Sequence, residues 1–108
     1  MDWEHATKIA YEIGKSKLVE KRMEFFHKAA EYARIRVDWQ LSTPGERLQL
    51  DEKRRALHDG FIEACNGLSR DMQAEGEDIS WREDLGEDRK EIGDFACYIN
   101  LILGLVAR

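Results

Sequence analysis

Two carboxylates near the start of the last predicted helix are the side chains of this sequence best placed to do chemistry. Glu91 and Asp94 are three residues apart, so on a helix their side chains lie on one flank. Paired carboxylates can hold a divalent cation such as Mg²⁺, which prefers oxygen ligands and often binds substrate phosphates as well. The alternative explanation is that both acids are favoured near a helix N-terminus by the macrodipole.

The segment that contains this pair, KEIGDFACYINLILGLV, resembles the second metal motif of the all-helical nucleotide pyrophosphohydrolases of the MazG type. In that motif Glu-x-x-Asp opens a helix that continues into an apolar run. The resemblance implies that Glu91 and Asp94 are Mg²⁺ ligands. The family's first motif, Glu-Glu-x-x-Glu, falls on Glu20, Lys21 and Glu24, where Lys21 replaces a carboxylate. It implies that Glu20 or Glu24 supplies further carboxylates and that a metal-activated water attacks a phosphate.

A longer part of the chain, from about Arg55 to the end, is similar to a group of small uncharacterised all-helical bacterial proteins. The segments GEDISWR and RKEIGDFACY carry this resemblance. It implies an all-helical fold and no known activity.

Three other groups could carry chemistry. Glu24 and His27 have the Glu-x-x-His spacing of di-iron carboxylate bundles, but the pattern does not recur on a second helix, which favours an exposed ion-pairing face that includes Glu20 and Glu31. His58 borders the core arc near Cys65 and could be a ligand or base, but a hydrogen-bonded histidine at the boundary of the core is the favoured explanation. No third group can be assigned to orient a pair of His58 and Cys65. Arg54 lies in the core-facing arc of the third helix. It could meet an acid across an interface or a ligand phosphate; the favoured alternative is that its helix has passed beyond the core at this point.

The helix that carries the carboxylate pair is also the most apolar stretch. It has no charge from Phe95 to Ala107, although 36% of the chain is charged. Its helical periodicity predicts one core-facing arc, which consists of Leu85, Ile92, Phe95, Ala96, Ile99, Ile102, Leu103 and Val106. Tyr98, Leu101 and Leu105 fall outside that arc and indicate a second contact surface. Between the core-facing arc and this second surface lies a ridge of small or polar residues, where another helix could approach closely. The ridge consists of Gly93, Cys97, Asn100 and Gly104.

Local signals divide the rest of the chain into helices over about 2–13, 17–41, 44–75 and 85–107. Gly14 is expected to end the first helix and Ser16 to cap the second. Thr43 and Glu46 predict a capping box with proline at the first helical position. The third helix is long enough that we expect a bend near Gly60 or an end that projects into a partner.

The segment 77–87 is predicted to be the main loop of the chain. It is acidic and contains Trp81, which we expect to pin a solvated loop in place. Alternatively, the acidic side chains of this segment bind a basic partner or a cation. Asp84 and Glu87 predict a second capping box, which would start the last helix.

These elements predict an all-α, up-and-down four-helix bundle with a short first helix, in a single domain over 1–108. The apolar arcs are wider than one neighbour can cover, so we expect a homodimer or a protein partner.

Met1 is followed by polar residues, so no signal peptide is expected, and the uncharged run is too short for a membrane span. A net charge of −5 makes nonspecific nucleic-acid binding unlikely. Cys65 and Cys97 show no metal spacing, and we expect reduced thiols of a cytoplasmic protein, with a disulfide or a redox role as the alternative.

We therefore predict a noncatalytic module that self-associates or binds a partner and needs no cofactor. The alternative is a Mg²⁺-dependent nucleotide pyrophosphohydrolase that uses Glu91, Asp94, Glu20 and Glu24.

Overall fold

The computed structural model describes residues 1–103, and these residues form five α-helices. The helices are α1 (Trp3–Gly14), α2 (Val19–Leu41), α3 (Pro44–Ala74), α4 (Ser80–Leu85) and α5 (Arg89–Leu103). The all-α prediction is confirmed for this part of the chain, whereas the up-and-down four-helix arrangement stays a prediction. None of the helices among these residues combines the length and apolar character that crossing a membrane requires.

The long helices α2 and α3 run antiparallel to each other. Lys21 near the start of α2 pairs with Asp71 near the end of α3, with Nζ and Oδ2 2.9 Å apart. At the opposite end, the Trp39 Nε1 donates to Asp51 Oδ1 at 2.7 Å. These contacts follow from the sharp turn between the two helices, where the predicted capping box of Thr43 and Glu46 is confirmed.

Helix α3 extends beyond the core, whereas the contact of its end with a partner stays a prediction. It is continuous from Pro44 to Ala74, and none of its residues before His58 is buried. At 1.5 Å per residue its length is about 46 Å, close to the 47 Å long dimension of the described part of the molecule. Its first half therefore packs mainly on the end of α2.

The connection between α1 and α2 differs from the prediction. The predicted cap at Gly14 is wrong, because Gly14 is the last residue of α1 and Lys15 is its C-cap. Helix α2 begins at Val19, and Ser16 is not its N-cap. The Ser16 hydroxyl instead donates to Glu77 Oε1 at 2.7 Å and accepts from the Leu18 amide at 3.1 Å. Ser16 therefore ties this connection to the segment after α3.

The predicted acidic loop contains the short helix α4, and the last helix starts later than expected. Trp81 is 1% exposed, so its predicted role as an anchor is confirmed. The capping box predicted for Asp84 and Glu87 is wrong. Asp88 caps α5 instead, because its Oδ1 accepts from the Glu91 amide at 3.0 Å. Burying Trp81 extends helical structure through Asp84, and the chain turns only at Gly86, whose φ is 77°.

Helix α5 is central to the packing of the described residues, since it contacts α1, α2, α3 and α4. The predicted core positions Ile92, Phe95, Ala96 and Ile99 are at most 1% exposed. The close approach predicted at the small-residue ridge occurs at Gly93, where a Cβ atom would lie 3.0 Å from the Tyr32 hydroxyl of α2. The predicted positions Gly104, Leu105 and Val106 lie outside the described residues.

Candidate functional site

The predicted metal-binding pair on α5 already has cationic partners. Asp94 Oδ1 accepts a hydrogen bond from Arg36 Nη2 at 2.6 Å, and Lys90 Nζ lies 3.8 Å from Asp94 Oδ2. Glu91 forms an ion pair with the N-terminal amino group of Met1. The two carboxylates therefore lie on α5 as predicted, but each stabilises a neighbouring cation.

The other two predicted ligands lie farther along the molecule. Glu20 and Glu24 are exposed near the start of α2. Arg36, which contacts Asp94, lies 12 residues after Glu24 on the same helix, or about 18 Å along its axis. The structure therefore does not bring these two carboxylates to the α5 pair. Within 1–103, no three His, Cys, Asp or Glu side chains form a group that could hold a metal ion, and the Mg²⁺-dependent enzyme stays a prediction.

The Glu24 and His27 pair lies on an exposed ion-pairing face. The His27 Nε2 contacts Glu31 Oε1 at 3.0 Å. Glu20, Glu24 and His27 line the same shallow surface depression. This arrangement agrees with the ion-pairing explanation of the spacing.

Both cysteines within the described residues are free thiols. Burial raises the pKa of Cys65 to about 12, and burial also raises the pKa of Cys97. Because the thiolate is the reactive form of cysteine, neither side chain is activated as a nucleophile. This agrees with the expectation that His58 and Cys65 do not form a nucleophile pair.

A cavity of about 490 Å³ opens where α2, α3 and the start of α5 meet, and we call it the basic pocket. Its lining residues are Tyr32, Arg36, Trp39 and Gln40 of α2, Arg54, Arg55 and His58 of α3, and Arg89 and Lys90 of α5. Five of these side chains are cationic and none is acidic. This concentration of positive charge occurs in a chain whose net charge is −5.

Three carboxylates next to the basic pocket partly neutralise its cations. The ion pairs are Arg36–Asp94 at 2.6 Å, Arg89–Asp59 at 2.8 Å, Arg54–Asp51 at 3.7 Å and Lys90–Asp94 at 3.8 Å. Arg55 is exposed and pairs with none of these three acids. The pocket therefore keeps a positive local charge.

His58 is buried at the inner wall of the basic pocket, with 5% of its surface exposed. Its Nε2 donates to the Arg89 carbonyl oxygen at 2.8 Å, and its ring meets the Tyr32 ring edge to face at 4.7 Å. Burial lowers the pKa of His58, and the nearby Arg89 and Arg36 charges also lower it, although the hydrogen bond to the Arg89 carbonyl opposes the shift. The neutral ring therefore presents Nδ1 as an acceptor, and Nδ1 has no hydrogen-bond partner among the described residues.

Trp39 anchors the outer wall of the basic pocket. The guanidinium groups of Arg47 and Arg54 lie over its ring, at 4.4 and 4.6 Å from the ring centroid. The sequence left three explanations open for Arg54. The structure places it beyond the core, half-buried beside Asp51, with its Nε buried and without a partner among residues 1–103.

Sequence reasoning missed most of the basic pocket. Of its lining residues, the sequence singled out only His58 and Arg54. Arg36, Arg89 and Lys90 belong to other helices, so local spacing does not connect them with these two. One signal was available, since Arg89 and Lys90 occupy the first turn of α5. Cations are unfavourable there because of the helix macrodipole, so two of them point to an additional role.

A second surface feature lies beside the basic pocket, and we call it the apolar face. It consists of Trp3, Val37, Leu41, Tyr98 and Leu101. Trp3 and Tyr98 pack edge to face with ring centroids 5.8 Å apart. Tyr98 and Leu101 share a surface cavity with Val37, and Leu41 is one turn after Val37 on α2.

The apolar face is well exposed in the described part of the chain. Leu41 is 82% exposed, Leu101 64%, Trp3 49% and Val37 43%. Tyr98 and Leu101 belong to the second contact surface that the sequence indicated, and its third member, Leu105, lies outside the described residues. No family model, curated protein or solved structure matches the chain. Function is therefore inferred from the basic pocket and the apolar face.

Proposed function

We propose that the protein is a noncatalytic module that self-associates into a homodimer through the apolar face. The observation that carries this proposal is the continuity of large exposed apolar side chains across α1, α2 and α5. Single exposed apolar residues are normal on a protein surface, but contiguous patches are typical of interaction sites. Burying a side chain of the size of leucine contributes about 1.5–3 kcal/mol.

The apolar face is the kind of surface through which two copies of this acidic chain can meet. Two chains of net charge −5 repel each other, so they associate best through a surface that carries no net charge. Two charged residues line the cavity on the apolar face, Arg36 and Asp94, and they form an ion pair at 2.6 Å. A two-fold axis through this face would bring like apolar residues together, as isologous interfaces do.

Light scattering and sedimentation velocity across a micromolar concentration range test the proposal. We expect a dimer for the unchanged protein and a monomer for Leu101→Glu, because a two-fold interface would contain the buried charge twice. Met23→Glu is the matched control, since Met23 and Leu101 are both 64% exposed and Met23 lies outside the apolar face. A monomer for the unchanged protein, or equal effects of the two substitutions, would contradict the proposal.

A further inference from the structure

The basic pocket has more hydrogen-bond donors than its neighbouring carboxylates can accept. Each guanidinium group carries five N–H donors in a planar fork. Four arginines and one lysine line the pocket. Among the described residues, their ion pairs involve three acids, Asp51, Asp59 and Asp94. Arg54 Nε is buried without a partner among the described residues, and Arg55 is exposed. Donors therefore remain for a ligand.

His58 provides a second, independent indication of a ligand. It is 95% buried, since only 5% of its surface is exposed. Its Nε2 is fixed by the Arg89 carbonyl, while Nδ1 lacks a partner in the part of the chain that the structure describes. A buried polar atom without a hydrogen bond costs about 1–3 kcal/mol. A bound group that carries an O–H satisfies this atom, and a bound oxygen accepts a hydrogen bond from it when the ring is protonated.

The geometry points to the basic pocket as a binding site for a small phosphorylated molecule, whose phosphate is held directly by guanidinium groups. Arginine suits this ligand because its fork matches phosphate oxygens in a bidentate manner. A phosphate that keeps one proton also offers an O–H to His58 Nδ1. The site needs no Mg²⁺, because the cations that neutralise the phosphate are side chains of the protein itself.

Size and wall chemistry define the ligand class further. A volume of about 490 Å³ is within the range of small-molecule pockets, about 300–1,000 Å³, and leaves space beyond one phosphate group. The aromatic rings of the lining are already engaged, since Arg47 and Arg54 cover Trp39 and the Tyr32 ring packs on His58. The walls therefore favour a phosphorylated compound without a nucleobase, because a nucleobase would need a free aromatic ring on which to stack. The net charge of −5 disfavours a nucleic acid.

Binding of such an anion is coupled to protonation of His58. The charged and titratable groups around this ring are Tyr32 and Arg36 from α2, Asp59 from α3 and Arg89 from α5. Without ligand, burial and the two arginines lower the pKa of His58. A bound phosphate offsets the arginine charges, so His58 takes up a proton more readily and affinity rises as the pH falls below 7.

Histidine NMR on the intact protein tests the site directly. Inorganic phosphate and pyrophosphate are titrated at constant ionic strength, with EDTA present to remove Mg²⁺. We expect the His58 resonances to shift and its pKa to rise, with pyrophosphate binding more tightly because of its greater charge. His5 and His27, which do not line the pocket, are internal controls. An unchanged His58, equal shifts of all three histidines, or binding that requires Mg²⁺ would overturn the proposal.

Two arginine variants separate specific binding from a general effect of charge. Arg55→Gln should weaken pyrophosphate binding about tenfold, because it removes one charge-assisted contact. Arg55 is exposed, so the fold is not at risk. Arg34→Gln is the matched control, since Arg34 is also exposed and does not line the pocket. Equal losses of affinity in the two variants would reject the site, and a loss confined to Arg55→Gln supports it.

Discussion

The basic pocket and the cavity on the apolar face share Arg36 and Gln40 as lining residues, yet the two surfaces have opposite chemistry. The basic pocket is formed where the first turn of α5 meets α2 and α3, and it collects cations around a buried histidine. The apolar face is formed farther along the same two helices, α2 and α5, with a contribution from α1. One helix pair therefore produces a charged surface and an apolar surface within a few turns of each other.

The Arg36–Asp94 ion pair explains how the two surfaces can be neighbours. It joins α2 to α5 at 2.6 Å, with both side chains about one-fifth exposed. On the side of the apolar face, the pair carries no net charge. On the side of the basic pocket, Asp94 neutralises only part of the charge contributed by Arg36 and Lys90. The basic pocket and the apolar face therefore differ in charge because ion pairing neutralises the cations locally, and not because the two surfaces are far apart.

The largest effect is expected when α2 and α5 are forced apart, because both surfaces depend on their contact. A Cβ atom on Gly93 would lie 3.0 Å from the Tyr32 hydroxyl and 3.3 Å from Arg36 Nη1. Gly93→Val should therefore lower the free energy of unfolding by about 1–3 kcal/mol through overpacking, and weaken both phosphate binding and self-association. Urea denaturation measures the stability.

Gly60→Ala is the control for that substitution, because a Cβ atom on Gly60 would meet no atom within 4 Å. It should stabilise the protein by up to about 1 kcal/mol, since alanine favours a helix over glycine. If Gly93→Val were as stable as the unchanged protein, the close approach of α2 and α5 would be wrong.

Loss of the shared ion pair should have a smaller effect on stability. Arg36→Met leaves Asp94 with only Lys90 nearby, at 3.8 Å. We expect a loss of about 1 kcal/mol, because the lost hydrogen bond is charge-assisted but partly exposed to solvent. Arg34→Met, on an exposed position of the same helix, should change stability little.

A double-mutant cycle then measures the pair itself. Arg36→Met combined with Asp94→Leu should recover part of the lost stability, since neither charge is left unpaired. Additive losses in the double variant would show that the pair does not couple α2 to α5.

Salt should distinguish the two surfaces without any substitution. Raising NaCl from about 0.05 to 0.5 M shortens the Debye length to a few ångströms, so pyrophosphate affinity should fall several-fold. Self-association through the apolar face should not weaken, because apolar burial does not depend on charge. Calorimetry measures the first quantity and sedimentation velocity the second. A dimer that dissociates in high salt would place its interface on charged residues instead.

The smallest effect is expected from pH, acting through His58. Because burial lowers its folded pKa below the usual value of about 6.5, the unfolded state binds more protons between these two pKa values. The free energy of unfolding should therefore fall as the pH is lowered from about 7 through this window. His58→Gln should remove that part of the pH dependence and His27→Gln should not, as urea denaturation at a series of pH values would show. Parallel curves for His58→Gln and the unchanged protein would mean that His58 titrates normally.

The sequence predicted the four longer helices and much of the core because these depend on local patterns, whereas the short helix α4 was expected to be a loop. The capping box of Thr43 and Glu46 forms within a single turn, and it is present as predicted. The apolar period of the last helix placed Ile92, Phe95 and Ile99 in the core, where the structure has them. The exposure of Leu101 also follows from that period, because its side chain lies off the core-facing arc.

The capping error at the last helix has a tertiary cause. Asp84 and Glu87 have a suitable spacing, but Trp81 is buried and α4 includes Asp84, so Asp88 becomes the cap of α5. Packing of one aromatic side chain thus moved the start of a helix that local sequence placed earlier.

The sequence by itself determined the helical faces, and only the tertiary structure decided which faces meet. Periodicity tells which side of a helix is apolar, but it contains no information on the neighbour that covers that side. Arg36, Arg54 and Arg89 come from three helices and converge on one pocket, although nothing in their local spacing connects them. Glu20 and Glu24 have a suggestive spacing, yet they lie about 24 and 18 Å along α2 from Arg36, the partner of Asp94. Sites that combine distant segments depend on helix packing, which is set by side-chain fit across interfaces and not by local pattern.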